Sequence, residues 1–313
     1  MKQVLTGILA VLMLLFVLCF PQLAIEGATE GLLLWFNQLV PALLPCMILT
    51  QLLLGCGLLD YFGNASRTTQ RTTFISGNSL YIAILGLLCG CPMGAKLTAD
   101  FYRTGRISHT EALWLLCFSS QLSPAFLISF VAYNGFSDPF LQRFFLTSYY
   151  MSLGLYMLLL RLFFHCFKPS QAIAVTTKKE VPQLPSTPED LDTSITYSLN
   201  AITRLGGYIL MFTIAANGLK KLSPLPPKIN CLVLGIIEIT TGLQQIYSHT
   251  WPLLFKAVLM SSCCAFGGLC GMMQVQSVLT GSGLPLSVYT IAKVIQALIA
   301  AACTAGLFLF FVL

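Results

Sequence analysis

The sequence predicts an all-α polytopic membrane protein of two structurally related halves, arranged as inverted repeats with re-entrant helical hairpins. Three observations carry this. Of the 313 residues, 56% are hydrophobic and only 9% charged, against about 25% charged in soluble domains. Apolar runs recur at about 2 to 20, 31 to 59, 74 to 98, 111 to 133, 143 to 167, 194 to 219, 229 to 247, 252 to 280 and 285 to 312. Six to nine of them approach the roughly 20 residues that a hydrocarbon core about 30 Å thick demands of a spanning helix. Finally, one long polar stretch, 168 to 193, divides the chain in two. The organisation expected is an N-terminal span and loop (1 to 30), a first membrane repeat (31 to 167), the linker (168 to 193) and a second repeat (194 to 313), with the lipid bilayer as partner.

The net charge of +6 is spread over short connections. It therefore orients spans rather than forming a nucleic-acid stripe. Cysteines such as Cys19, Cys46, Cys89, Cys117, Cys231 and Cys303 lie inside apolar runs without paired C-x-x-C spacing, and read as small packing residues rather than disulfides or zinc ligands. His109, His165 and His249 show no ligand spacing, so no metal or cofactor is expected. No phosphate loop, dinucleotide loop or nucleophile elbow is present, and no catalytic residue is proposed.

In the first run a single Lys2 precedes an apolar segment to Phe20, and Pro21 interrupts any small-x-small cleavage site; an uncleaved span is expected. The second run carries Pro41 and Pro45, which would kink it, with Asn37, Thr50 and Gln51 as weak polar candidates. Charge decides how the third run crosses. Arg67 and Arg71 precede it and Arg103 and Arg106 follow it, so a full span would place basic clusters on both faces. A re-entrant hairpin with its tip at GCPMG keeps both inside, along with Lys168, Lys178 and Lys179, and leaves Glu26 and Glu30 outside. If the run at 229 to 247 dips likewise, the halves are inverted repeats, the plan of many secondary transporters. Lys220, Lys221 and Lys228 would then lie outside, against the charge rule.

Broken helices at membrane depth are tolerated where protein or a water-filled cavity surrounds them. Gly90, Pro92 and Gly94 break the third run, and Lys96 brings a cation to its end. Two readings stand: a hairpin tip facing a solute, or a kinked span with Lys96 snorkelling. Glu238 is the one acid deep in an apolar run, which marks a functional candidate. Thr240, Thr241, Gln244 and Gln245 follow it, and Lys96 is the expected partner; a structural pair or a protonated, satisfied Glu is the plainer alternative. Ser119, Ser120, Gln121, Ser123 and Pro124 interrupt the fourth run, while Gly267, Gly268, Gly271, Gln274 and Gln276 give the eighth a small, polar stripe. Close packing alone would also explain those glycines.

On VPALLPCMILTQLL, GCPMGAKLTADFYRTGRIS and FGGLCGMMQVQSVL, the chain resembles the bacterial sporulation integral membrane proteins of the YlbJ type, in the nucleoside-recognition or Gate-domain group. The match runs over most of residues 31 to 280. Cys91 replaces the aromatic of the family's Gly-Tyr-Pro-Met-Gly pattern, and SSQLSP stands where asparagines are usual. The resemblance implies a spore-forming Gram-positive host and, by analogy, a hairpin-bearing inverted repeat around a central site. Two functions follow: a transporter-like protein binding or moving a small polar, nucleoside-like solute, or a non-transporting scaffold of spore-envelope assembly. Glu238 separates them, since a carrier needs it at a cavity and a scaffold would bury it in a pair. The oligomeric state is not read from the sequence.

Overall fold

A computed structural model describes residues 2–55, 76–166 and 191–311. Phe62, Arg67, Arg71, Lys168, Lys178 and Lys179, and the side chains of Lys2, Cys46, Thr50 and His165, lie outside the described residues.

The described chain is helical. Helix α1 (Lys2–Cys19) meets α2 (Pro21–Leu34) at a sharp bend, where Pro21 starts a new helix because its missing N–H costs nothing at a first turn. A π-turn at Trp35–Leu39 passes α2 into α3 (Val40–Gly55). Then come α4 (Gly77–Cys89), α5 (Met93–Arg103) and α6 (His109–Phe118). A further helix starts as α7 (Pro124–Phe126), passes a π-turn at Leu127–Ala132 and ends as α8 (Tyr133–Gly135); α9 (Pro139–Cys166) closes the half. The second half comprises α10 (Leu191–Leu222), α11 (Pro227–Ile237), α12 (Ile239–Ser248), α13 (Leu253–Phe266), α14 (Gly268–Leu279) and α15 (Leu286–Phe311). Leu191–Thr193, expected in the linker, are already helical.

Among the described residues, four stretches are long and apolar enough to cross a membrane: Pro139–Phe164, Leu191–Leu222, Leu253–Leu279 and Leu286–Phe311. The pair Ala10–Cys19 and Pro21–Leu39, bent by 111°, makes a fifth if counted as one. Six to nine were expected. The difference arises because several apolar runs are hairpins or helices broken by glycine, proline and serine, which divide the apolar length between two short pieces.

The halves share one order of elements: a long helix, two short helices packed on each other, a broken helix and a long helix. In the first, α4 and α5 pack so closely that a methyl on Gly86 would lie 2.8 Å from Gly94 Cα. In the second, α11 and α12 are equally close, with Gly242 against the Gly235 backbone. Packing between halves is reciprocal: α5 lies on α14, and α12 contacts α8. Arg103, ending α5, donates to Val278 O (3.0 Å) and Thr280 O (2.6 Å) at the end of α14. Tyr247, near the end of α12, donates to Phe130 O (3.2 Å) in the π-turn before α8.

A second division cuts across the first. One packing unit is α2, α3 and α10. Gly27 and Gly31 let α2 touch the α10 backbone around Thr213 and Ile214, the close approach that small residues give helices in lipid. Asn217 Nδ2 donates to Leu23 O (3.0 Å), Trp35 Nε1 donates to Ile202 O (2.9 Å), and Lys221 pairs with Glu26. That pair explains the basic cluster that resisted the charge rule, because the end of α10 lies beside the acidic turn it helps to neutralise. The other unit gathers both hairpins, both broken helices, α9 and α15. These hydrogen bonds close within one unit or the other; across the boundary, Lys96 Nζ stands 3.3 Å from the Tyr197 ring centroid.

Candidate functional site

The two hairpin tips are held by different means. At the first, Gly90 takes φ +83°, a conformation that favours glycine, and the chain reverses through Cys91 and Pro92. The freed backbone groups find partners in the break of the neighbouring helix: Cys91 N–H donates to Gln121 O (2.6 Å) and Ala95 N–H to Ser120 Oγ (2.6 Å). Gly94 packs directly on Ser119. At the base, Glu111 accepts from Ser76 N–H (3.0 Å), Ser79 Oγ (3.1 Å) and Ser108 N–H (2.9 Å), tying α4 to the start of α6.

The second tip caps itself. Glu238, 2% exposed, accepts from Thr240 N–H (3.0 Å), Thr241 N–H (2.7 Å), Thr241 Oγ1 (2.8 Å) and Thr240 Oγ1. All four bonds satisfy one carboxylate at the amino end of α12, where the helix dipole also favours a negative charge. Lys96 is not its partner: that ammonium stands over Tyr197 on α10, because α5 carries it away from the tip toward the hairpin base. The pairing expected from the sequence is therefore corrected.

Both tips and both helix breaks converge on one central cavity, with about 700 Å³ of unfilled space including its mouth. Cys91 from the first tip, Ser120, Gln121 and Ser123 from the first break, Glu238 and Thr240 from the second tip, and Gly267, Gly271 and Gln274 from the second break line it. Its opposite wall is apolar and belongs to the other packing unit: Leu39, Leu43, Leu205 and Ile209. A vestibule of about 930 Å³ shares Leu43, Cys91, Leu205 and Gln274 with the cavity and adds Pro92, Lys96, Tyr197, Asn200 and Arg204.

Lys293, on α15, also lines the cavity and is 2% exposed. Its ammonium donates to Gln121 Oε1 (3.0 Å) and Gln296 Oε1 (3.3 Å). The two glutamines are paired head to tail, Gln296 Nε2 to Gln121 Oε1 (2.7 Å) and Gln121 Nε2 to Gln296 Oε1 (3.1 Å), and Gln121 Nε2 also donates to Phe118 O (2.9 Å). Among the described residues no carboxylate lies within ion-pair distance of Lys293.

Of the residues expected from the sequence, Ser120, Gln121, Glu238, Thr240 and Gln274 meet at the central cavity, while Pro92, Lys96 and again Gln274 line the vestibule. Gly90, Gly94, Ser119 and Thr241 line neither. They shape the tips instead: Gly90 by its turn, Gly94 and Ser119 by mutual contact, Thr241 by bonding Glu238. Gln244 is exposed and lines neither cavity, since it sits one turn beyond Thr240, where α12 has left the cavity wall. Sequence reasoning missed Lys293, Gln296, Tyr289, Tyr197 and Arg204. For Lys293 the signal was present: an ionisable residue in the middle of the apolar run 285 to 312, the same mark that singled out Glu238.

The chain is 26% identical to Sporulation integral membrane protein YlbJ of Bacillus subtilis (strain 168) over an alignment that covers 91% of this chain and 78% of the relative. No family model matches. No solved structure matches. The resemblance read from the motifs thus extends over nine-tenths of the chain as far as the YlbJ type, and the long apolar helices make this an integral, multi-pass membrane protein.

Proposed function

We propose that this membrane protein acts in sporulation, as its relative's name indicates for that protein, and binds and moves a small polar solute through the central cavity. The observation that carries this reading is the convergence of two hairpin tips and two helix breaks on one cavity at the boundary of two packing units. Broken helices leave backbone groups needing partners, and a lipid-buried protein keeps such features where they line a polar path. Seen from the cavity, Glu238 is already neutralised by its four bonds, whereas Lys293 brings a positive charge, and Lys96 and Arg204 add two more in the vestibule. That balance favours a solute bearing an anionic group over an uncharged nucleoside.

Movement follows from the packing. The α2, α3 and α10 unit meets the cavity through aliphatic side chains, and polar bonding stays within each unit. An apolar boundary slides at low cost because no directional bond must break. The unit of hairpins and broken helices therefore carries the solute past the α2, α3 and α10 frame, in place of two sequence halves rocking about the site. Three crossings separate the hairpin bases: the broken helix α6 to α8, then α9, then α10. An odd number puts the bases on opposite faces, which is the inverted arrangement.

Gly271→Leu tests this against the scaffold reading. The nearest atom to a Cβ at Gly271 is Cys91 Sγ, at 4.0 Å, so the leucine enters the cavity without touching backbone. The expected outcome is normal accumulation in the membrane with a loss of heat-resistant spores. Full sporulation with the filled cavity would favour the scaffold. A thermal-shift series on purified protein with small carboxylates, nucleoside monophosphates and nucleosides then identifies the solute class; stabilisation by nucleosides alone would restore the neutral solute.

A further inference from the structure

Lys293 is an unusual thing to bury. A lone ammonium at membrane depth costs several kcal/mol unless its donors are met, and here the acceptors are amide oxygens rather than a carboxylate. The place is specific. It lies where α6 ends at Phe118 and the chain breaks over Ser119–Ser123, beside the first hairpin tip. A helix that ends inside the protein leaves carbonyls and the negative end of its dipole unsatisfied. The side-chain amides relay that field: Gln121 Nε2 binds Phe118 O, and the Gln121 and Gln296 oxygens turn to one point, which the ammonium fills. Broken-helix carriers commonly seat a coupling cation at such a half-helix carboxyl end.

We infer that Lys293 is a tethered cation, standing where a coupling ion would otherwise bind, so that the protein works without sodium at this site. The ammonium satisfies the α6 end and balances an anionic solute in the adjoining cavity; α15 delivers it permanently. The second half supports the assignment by contrast. There Glu238 meets its needs with Thr240 and Thr241, and the buried residue on α9 facing the second break, beside Cys264, is the neutral Tyr149. Of the two breaks, the one without an acid of its own at its hairpin tip carries the lysine.

The functional meaning rests on the carrier reading, but the test needs no solute. Thermal unfolding of the purified wild type, Lys293→Ala, Lys293→Met and Lys293→Arg is compared in sodium, potassium, methylammonium and choline chloride at about 0.15 M ionic strength. The wild type and Lys293→Arg are expected to be indifferent to the cation. Lys293→Ala should lose about 5 °C or more in choline and recover at least half of it in sodium or methylammonium, and Lys293→Met should lose stability without recovery, its side chain filling the vacated place. Sodium-specific stabilisation of the wild type would overturn the inference, as would a Lys293→Ala or Lys293→Met protein as stable as wild type, or an alanine variant rescued by no cation. If the salt series fails while Gly271→Leu still abolishes function, the tethered cation falls and the carrier reading stands.

Discussion

The two hairpin tips solve one problem in opposite ways. Each exposes the amino end of a helix inside the protein, with N–H groups that lack intrahelical partners. The second tip carries its answer in its own sequence, Glu-Ile-Thr-Thr, where the carboxylate accepts from both backbone and hydroxyl donors within three residues. The first tip has cysteine and proline in that place and borrows acceptors from the adjacent break, Ser120 Oγ and Gln121 O. The difference teaches what each tip depends on. The second is rigid by itself, whereas the first is correctly formed only while it stays docked on the α6 break, and Lys293 and Gln296 hold that break in turn.

Substitutions can sharpen or break this contrast, read as thermal unfolding of the purified protein. Glu238→Ala should be the most damaging, about 3 kcal/mol or more, because it strips a buried helix end of four bonds at once. Gly94→Ala and Gly242→Ala come next, at about 2 kcal/mol each, since the added methyl meets Ser119 in one and the Gly235 backbone in the other. Ser120→Ala removes one neutral acceptor from Ala95 N–H and should cost about 1 kcal/mol. If Ser120→Ala proves as harmful as Glu238→Ala, the first tip is no more dependent on its neighbour than the second. The smallest effect is expected for Tyr247→Phe, about 0.5 kcal/mol, as its hydroxyl bond to Phe130 O is half-buried and long.

Much of the fold was legible because lipid simplifies the code. Apolar length reported the helices, and Gly-Cys-Pro and Gly267–Gly268 reported breaks through residues that cannot continue one. Arg67, Arg71, Arg103 and Arg106 suggested a hairpin through charge, and the reversal at Gly90 to Pro92 agrees with it. The site was half legible. Ser120, Gln121, Glu238 and Gln274 reach the cavity because polar residues in apolar runs need a polar destination. What sequence could not show was pairing. Lys96 and Glu238 were matched by depth, yet depth does not fix direction, and the helix α5 points its lysine to Tyr197. Lys293 was passed over because it has no polar cluster around it in sequence; its partners Gln121 and Gln296 include one from the other half of the chain. The puzzle of Lys221 dissolved for the same reason, its Glu26 lying far away in sequence.

Two hairpins that enter the membrane from opposite faces around one cavity are the core of the proposed carrier. Reporter cysteines at Thr104, between α5 and α6, and at Thr250, between α12 and α13, in an otherwise cysteine-free protein, test that most directly. Labelling of Thr104 from the cytoplasm and of Thr250 from outside is the predicted result. Both positions reached from the same side would contradict it.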